Sequence, residues 1–210
     1  CIWEKKVVNI LKLSKADIKK KLYGHNNNFI SICVGEIKFR KGQDLLINNI
    51  KSICNLIPNF KLILLGRKNQ TFTNKLNKMI LDFGLTKVVE YIAPQTNAIE
   101  YIYAADVLLQ PSRSEALPRT ILEAMALKTP IIASDVDGIP ELVEDGTSAI
   151  LFSLSNLDKL IKGIKKIDSD DKYKQSLTEN ASQRYWNFFS RENHIQNYAK
   201  FINQIQNSNA

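Results

Sequence analysis

Cysteine is scarce in this chain: there are three among 210 residues, Cys1, Cys33 and Cys54. They are odd in number and far apart, with no CxxC pair and no neighbouring histidine, which argues against both a disulfide framework and a zinc site. A reducing cytosol suits such usage, and Cys33, inside an apolar run, reads as a small core residue. Histidine is scarcer still; His25 and His194 stand too far apart to work as a pair, and surface roles are expected for both. No run of about 18 apolar residues is available to cross a bilayer as a helix. The opening CIWEKK lacks the charged-then-apolar order of a signal peptide, and it lacks a starting methionine, so the chain is expected to be truncated at its front. There is no internal repeat and no sustained low-complexity tract.

What is present describes a soluble globular chain with a real core: 44% of residues are hydrophobic and 24% charged. The net charge of +8 allows attraction to anionic headgroups or phosphates. The lysines, however, are scattered along helical stretches, where solvated faces explain them. A nucleic-acid partner is not expected.

From position 29 onward, short apolar runs alternate with amphipathic segments, the pattern of βαβ units feeding a parallel sheet. Strands are predicted at 29–34, 61–65, 88–92, 107–110, 130–133 and 149–152. Helices are predicted at 45–57, 74–83, 99–104, 119–126 and 140–143. After 152 the character changes to three helical stretches, 157–167, 172–186 and 192–205, with no strand between them. Ahead of the first strand, Ser14 with Asp17 predicts a capped helix through Leu22 that Gly24 ends, followed by a polar turn at 25–28. The expected organisation is a linker and short helix over 1–28, a Rossmann-like open parallel six-stranded sheet flanked by helices over 29–153, and a packed helical tail over 154–210. The sheet order is not legible at this stage. An open parallel sheet binds ligands at the carboxyl ends of its strands, so the chemistry is sought in the loops at 35–42, 66–69, 93–97, 111–118 and 134–140.

The most informative stretch is PSRSEALPRTILEAMA at 111–126, where Glu115 and Glu123 stand seven residues apart. Pro118 suits the first helical position. The amides of Arg119, Thr120 and Ile121 would then leave the first turn unpaired, with the positive end of the helix dipole behind them, a seat for phosphate. One acid lies before that seat and one a turn beyond it. Two carboxylates beside an anion make sense where each accepts hydrogen bonds from hydroxyls, and a nucleotide-sugar supplies that combination. An isolated pair of acids at this spacing would more often be solvent-facing; the neighbouring blocks reverse that weighting.

Four blocks carry a likeness: VGEIKFRKG at 34–42, YAADVLLQPSRSE at 103–115, ILEAMA at 121–126 and PIIASDVDGIPELV at 130–143. In this order and spacing they resemble the C-terminal half of GT-B glycosyltransferases of family 4, over roughly residues 14–201. The resemblance implies retaining sugar transfer from a nucleotide-sugar, without a metal or other cofactor. It implies that Glu123 binds the donor ribose diol, that Glu115 contacts the donor sugar near its anomeric carbon, and that Lys41 neutralises the diphosphate. The Thr120 and Ile121 amides would hold the outer phosphate, and the main chain at Ile92, Ala93 and Pro94 would meet the nucleobase. Gly35 and Arg40 fall in the first donor loop. The implied acceptor is a glycan or lipid-linked, reached through a preceding domain, with the work done in the cytoplasm or at the cytoplasmic membrane face.

Three departures from the family pattern stand out. Glu36 occupies the place of an arginine, Arg67 and Lys68 follow Gly66 in place of Gly-x-Gly, and Ala116-Leu117-Pro118 replaces Gly-aromatic-Gly. Arg119, with Arg40 or Lys38, is expected to substitute for the missing arginine. Asp135-Val-Asp137 reads as turn and cap chemistry, not as a metal motif. A nucleotide-sugar epimerase on the same fold and a noncatalytic nucleotide-binding module are the rival functions.

Overall fold

The computed structural model describes residues 2–24 and 27–208; Cys1 and the first half of the turn expected at 25–28 lie outside the described residues. Six strands form one all-parallel sheet: β1 (Phe29–Val34), β2 (Phe60–Leu65), β3 (Val89–Ile92), β4 (Val107–Gln110), β5 (Ile131–Ser134) and β6 (Ile150–Phe152). Their order is β3-β2-β1-β4-β5-β6. The chain therefore builds outward from β1 to one edge, returns across the sheet, and builds outward to the other, so that β1 and β4 flank the point of reversal.

Side-chain alternation in the strands explains why helices cover both faces. In β1, Ile30, Ile32 and Val34 belong to one apolar cluster, while Phe29 and Cys33 belong to the other. Helices α3 (Gln43–Leu56), α4 (Gln70–Asp82) and α8 (Asp158–Ser169) cover the second face. The first face is covered by α5 (Ala98–Ala104), α6 (Arg119–Ala126) and α7 (Ile139–Leu142). Connections that keep one hand must change face when the direction of building reverses, and the switch from α4 to α5 is that change.

The segment expected as a linker contains a helix that periodicity did not reveal, α1 (Ile2–Ile10), ahead of the expected α2 (Lys15–Tyr23). Val7 and Ile10 of α1 are buried in the same cluster as Ala181 and Tyr185 from the other end of the chain. α2 carries the anticipated caps: the Ser14 hydroxyl accepts from the Asp17 amide, and Gly24 closes the helix at φ +77°. In the tail, α9 (Asp171–Arg184) runs into a π-helical turn (Tyr185–Phe189) before α10 (Arg191–Ser208). α4 starts four residues earlier than expected because Asn69 caps it, accepting from the Phe72 amide at 3.1 Å.

Candidate functional site

The carboxyl ends of β1 and β4 meet at a charged network centred on Glu115. The β1 loop brings Lys41 and Arg40; the end of β4 brings Gln110 and Ser112. Glu115 is 5% exposed. Its Oε1 accepts from Lys41 Nζ, from Gln110 Nε2 at 2.9 Å and from Ser112 Oγ at 2.7 Å, while Oε2 faces Arg40 at 3.2 Å. Burial pushes this carboxyl upward, but the bonds from Lys41, Ser112 and Arg40 outweigh it and hold the group below the usual carboxylate value. Glu115 is thus a buried acid that stays ionised.

Glycines let the loops approach closely enough to build this network. A Cβ on Gly66 would lie 2.0 Å from the Gly35 carbonyl oxygen, and one on Gly138 would lie 1.8 Å from that of Ala116. Gly35 is required by its backbone, at φ +138°, and the Lys41 stem passes it at ordinary contact distance, its Cε and Nζ 3.4 and 3.6 Å from where a Cβ would stand. The turn after β5 closes the far side: the Glu115 amide donates to Asp137 Oδ2 at 2.9 Å and the Gly138 amide to the Glu115 carbonyl at 3.1 Å. Asp137, held at φ +45°, therefore does turn chemistry, as its sequence context suggested.

The helix start differs from the expectation in one respect that matters. Pro118 is the cap residue and α6 begins at Arg119. The Ile121 amide, expected to be open, donates to the Pro118 carbonyl at 3.0 Å, because the first turn tightens onto that carbonyl. The open first-turn donors are then Arg119 and Thr120, whose amides have no protein acceptor among the described residues. The Thr120 hydroxyl donates to Gln110 Oε1 at 3.0 Å, which ties the helix start to the Glu115 network through one glutamine.

Glu123 lies on a different wall. Burial raises its carboxyl above the ordinary value, opposed by the Arg119 guanidinium, which stands 3.8 Å away and is largely exposed. Arg119, Leu122 and Glu123 line a cavity of about 260 Å³ with Trp3, Tyr185 and Phe189. Ile92 ends β3 at the edge of the sheet, separated from β4 by β2 and β1, and its carbonyl accepts from the Gly66 amide at 2.9 Å. Ala93 and Pro94 follow it in an exposed loop, with no hydrogen bond or ion pair to either acid among the described residues.

Of the three cations expected to replace the missing arginine, Arg40 meets the Ser114 carbonyl and Glu115, Lys38 meets Glu36, and Arg119 stands largely exposed 3.8 Å from Glu123. The anomaly of Glu36 is answered inside its own loop. Lys38 holds its carboxyl below the ordinary value, and Arg67, one of the residues that depart from the family pattern after Gly66, adds a contact at 3.5 Å. Sequence reading missed Gln110 and Ser112, although a glutamine closing an otherwise apolar buried strand was a usable signal. It also missed the bidentate pair of Arg113 with Asp44, at 2.8 and 2.9 Å, which braces the β4 loop against α3. Among the described residues no group of three or more His, Cys, Asp or Glu side chains is arranged to hold a metal ion.

Comparison with known proteins places this arrangement. The family model "Glycosyl transferases group 1" matches residues 14–184. The chain is 27% identical over 181 residues to a UDP-Gal:alpha-D-GlcNAc-diphosphoundecaprenol alpha-1,3-galactosyltransferase of Escherichia coli, covering 85% of this chain and 46% of that protein. It is also 27% identical over 134 residues to the lipopolysaccharide core biosynthesis mannosyltransferase LpsB of Rhizobium meliloti, covering 61% of this chain and 38% of the relative. The chain thus spans less than half the length of either relative. Among solved structures, HepE of Anabaena in complex with UDP superposes with a TM-score of 0.85 at 25% identity, over 94% of this chain and 55% of HepE. The C-terminal domain of the group 1 glycosyl transferase LpcC from Francisella tularensis shares the fold, with a TM-score of 0.74 at 19% identity over 85% of this chain and 94% of that one. With a family model matched across most of its length and a six-stranded parallel sheet of the same build, the chain belongs to the glycosyl transferases group 1 family and forms the carboxy-terminal half of a GT-B fold.

Proposed function

We propose that this chain is the donor half of a retaining glycosyltransferase: it holds a nucleotide-sugar and moves its hexose to a glycan or lipid-linked acceptor presented by a preceding domain, at the cytoplasmic face of a membrane. The observation that carries the reading is the Lys41–Glu115 pair at the reversal point between β1 and β4, where open parallel sheets take their ligands. Solved HepE holds UDP and, in a second structure, UDP-glucose. That supports a nucleotide-sugar as the ligand class here.

In this reading Lys41 and the Arg119 and Thr120 amides face the diphosphate. The bond from the anomeric carbon to the β-phosphate oxygen breaks and its electron pair goes to that oxygen. The acceptor hydroxyl oxygen bonds the anomeric carbon on the same face, and its proton passes to the departing phosphate oxygen. Negative charge grows on the diphosphate and positive charge on the sugar, so a fixed cation and a fixed carboxylate both act more strongly on the transition state than on the ground state. Lys41 serves the first, and Glu115, kept ionised by its network, serves the second. Glu123 accepts hydrogen bonds from the ribose hydroxyls. The positive charge comes from a side chain and helix amides, so the reading needs no metal and no cofactor.

The test uses the full-length protein that contains this chain, with radiolabelled nucleotide-hexoses and membranes as the acceptor source. Lys41→Ala and Glu115→Gln should each lower transfer by about 10²–10³-fold, the usual loss when a preorganised charge is removed from a transition state. Full transfer in both variants would reject the proposal.

A further inference from the structure

The cavity beside Glu123 holds chemistry that the donor-site reading uses only in part. Its volume of about 260 Å³ is below the roughly 300–1,000 Å³ of pockets that take drug-sized ligands, so it admits one ring and not a whole nucleotide. One wall is polar, with Arg119 and Glu123 on successive turns of α6. The opposite wall is aromatic: Trp3 and Tyr185 meet edge to face at 5.7 Å, and Phe189 completes the rim. Tyr185 and Phe189 bound the π-helical turn, a rare geometry that occurs frequently at functional sites. Glu4 fastens this wall to α1, its Oε1 accepting from the Arg191 amide at 2.8 Å and from the Tyr185 hydroxyl at 3.3 Å.

A carboxylate facing aromatic rings is the chemistry that recognises a hydroxylated ring, since hydroxyls donate to the carboxylate while ring C–H groups lie against an aromatic face. The Trp3 indole N–H is one of five buried side-chain atoms without a hydrogen-bond partner among the described residues, a state that native structures leave unexplained only rarely, and of the five residues Trp3 alone lines this cavity. Resting on the donor-site reading above, we propose that Trp3 is a ligand-contacting residue: its indole closes over the ribose whose diol Glu123 accepts, and a small turn of the ring gives the N–H a ribose hydroxyl oxygen. α1 thereby contributes directly to the choice of ribonucleotide over deoxyribonucleotide.

Calorimetric titration of UDP, GDP and ADP, each with its 2′-deoxy counterpart, into the chain and its Trp3→Phe and Trp3→Ala variants tests this. Trp3→Phe keeps an aromatic wall and removes only the donor. For whichever ribonucleotide the wild type binds, it should weaken binding by about 2- to 10-fold, the worth of one hydrogen bond. It should weaken the deoxy form less, so that the ribo-to-deoxy ratio falls. Trp3→Ala should weaken both forms further. The unfolding midpoint of Trp3→Phe is measured alongside to show that the fold is kept. Wild-type affinity in both variants overturns the assignment of Trp3 and leaves the donor site standing. Equal loss for ribo and deoxy forms also overturns it, because a merely structural wall would not discriminate. If the wild type binds none of the six nucleotides, the donor-site reading falls and this inference falls with it.

Discussion

Glu115 and Glu123 are seven residues apart in sequence, yet their surroundings drive their titrations in opposite directions. Glu115 is buried but surrounded by donors, so its folded-state value is depressed. A depressed acid contributes stability that is fully present above its unfolded value of about 4.3 and is lost as pH falls through the lower folded value. Lys41→Met keeps the stem but removes the cation, leaving a buried carboxylate short of its first partner. It should destabilise the domain by about 3–5 kcal/mol at neutral pH. Urea unfolding between pH 3 and 8 should show this difference shrinking as Glu115 protonates; a difference constant with pH would mean that Lys41 acts by packing. Glu123 has the reverse sign. Its folded value is raised, with burial the leading cause, so the ionised form costs stability at pH above that value and the cost disappears as pH falls. Glu123→Gln should raise the unfolding midpoint at pH 7 by a few degrees and leave it unchanged near pH 4. The two acids were singled out by residue type and spacing, and Lys41 by the family resemblance. Their unlike environments were not, since burial and the partners Gln110 and Ser112 come from strands brought together only by the fold.

At the scale of elements, the site depends on loops that touch where side chains would collide. Gly138 has an ordinary backbone conformation, so an alanine there meets only a contact problem, its Cβ 1.8 Å from the Ala116 carbonyl oxygen. Gly146 is the opposite case, at φ +73° with nothing within 4 Å of an added Cβ. Gly146→Ala should cost about 1–2 kcal/mol, the left-handed penalty alone, and should spare nucleotide binding. Gly138→Ala must move the turn that holds the Glu115 amide, so its nucleotide affinity should fall by at least tenfold as well. Thermal unfolding and nucleotide titration of the pair check this, and a binding loss shared by both would undo the argument. Helix positions were largely legible, because periodicity and caps such as Ser14 are local. The π-helical turn was not, since its five residues carry no periodic signal, and α1 was hidden because its buried face, Val7 and Ile10, is short.

For the whole molecule, strand identities were readable from apolar runs, but the order β3-β2-β1-β4-β5-β6 was not, because mostly apolar strands with single polar residues such as Ser31, Lys61 or Glu90 do not say which strand lies beside which. The order matters, since it puts the site at β1 and β4, and on one face of the sheet α1 packs with α9 and the π-helical turn. Val7 and Ile10 share a cluster with Ala181 and Tyr185, and Glu4 joins α1 to the first turn of α10 through the Arg191 amide. Among the described side chains of α10, Ile195 and Tyr198 are 54% and 64% exposed, and Asn193 donates to the Trp186 carbonyl and to Ser190 Oγ. A carboxylate on a first-turn amide acts as a cap, worth about 0.5–2 kcal/mol. Removing it should loosen a local unit without lowering the stability of the sheet. Glu4→Ala is therefore expected to speed amide exchange in α10 and the π-helical turn by about 2- to 30-fold, while β1, β2 and β4 exchange as in the wild type. Hydrogen exchange followed by mass spectrometry separates these regions, and acceleration spread evenly over the sheet would mean that α1 is part of the global core and not a tie between the two ends. If α10 alone responds, the Trp3 wall of the cavity rests on a segment that can open independently, and nucleotide bound there should in turn slow exchange in α10.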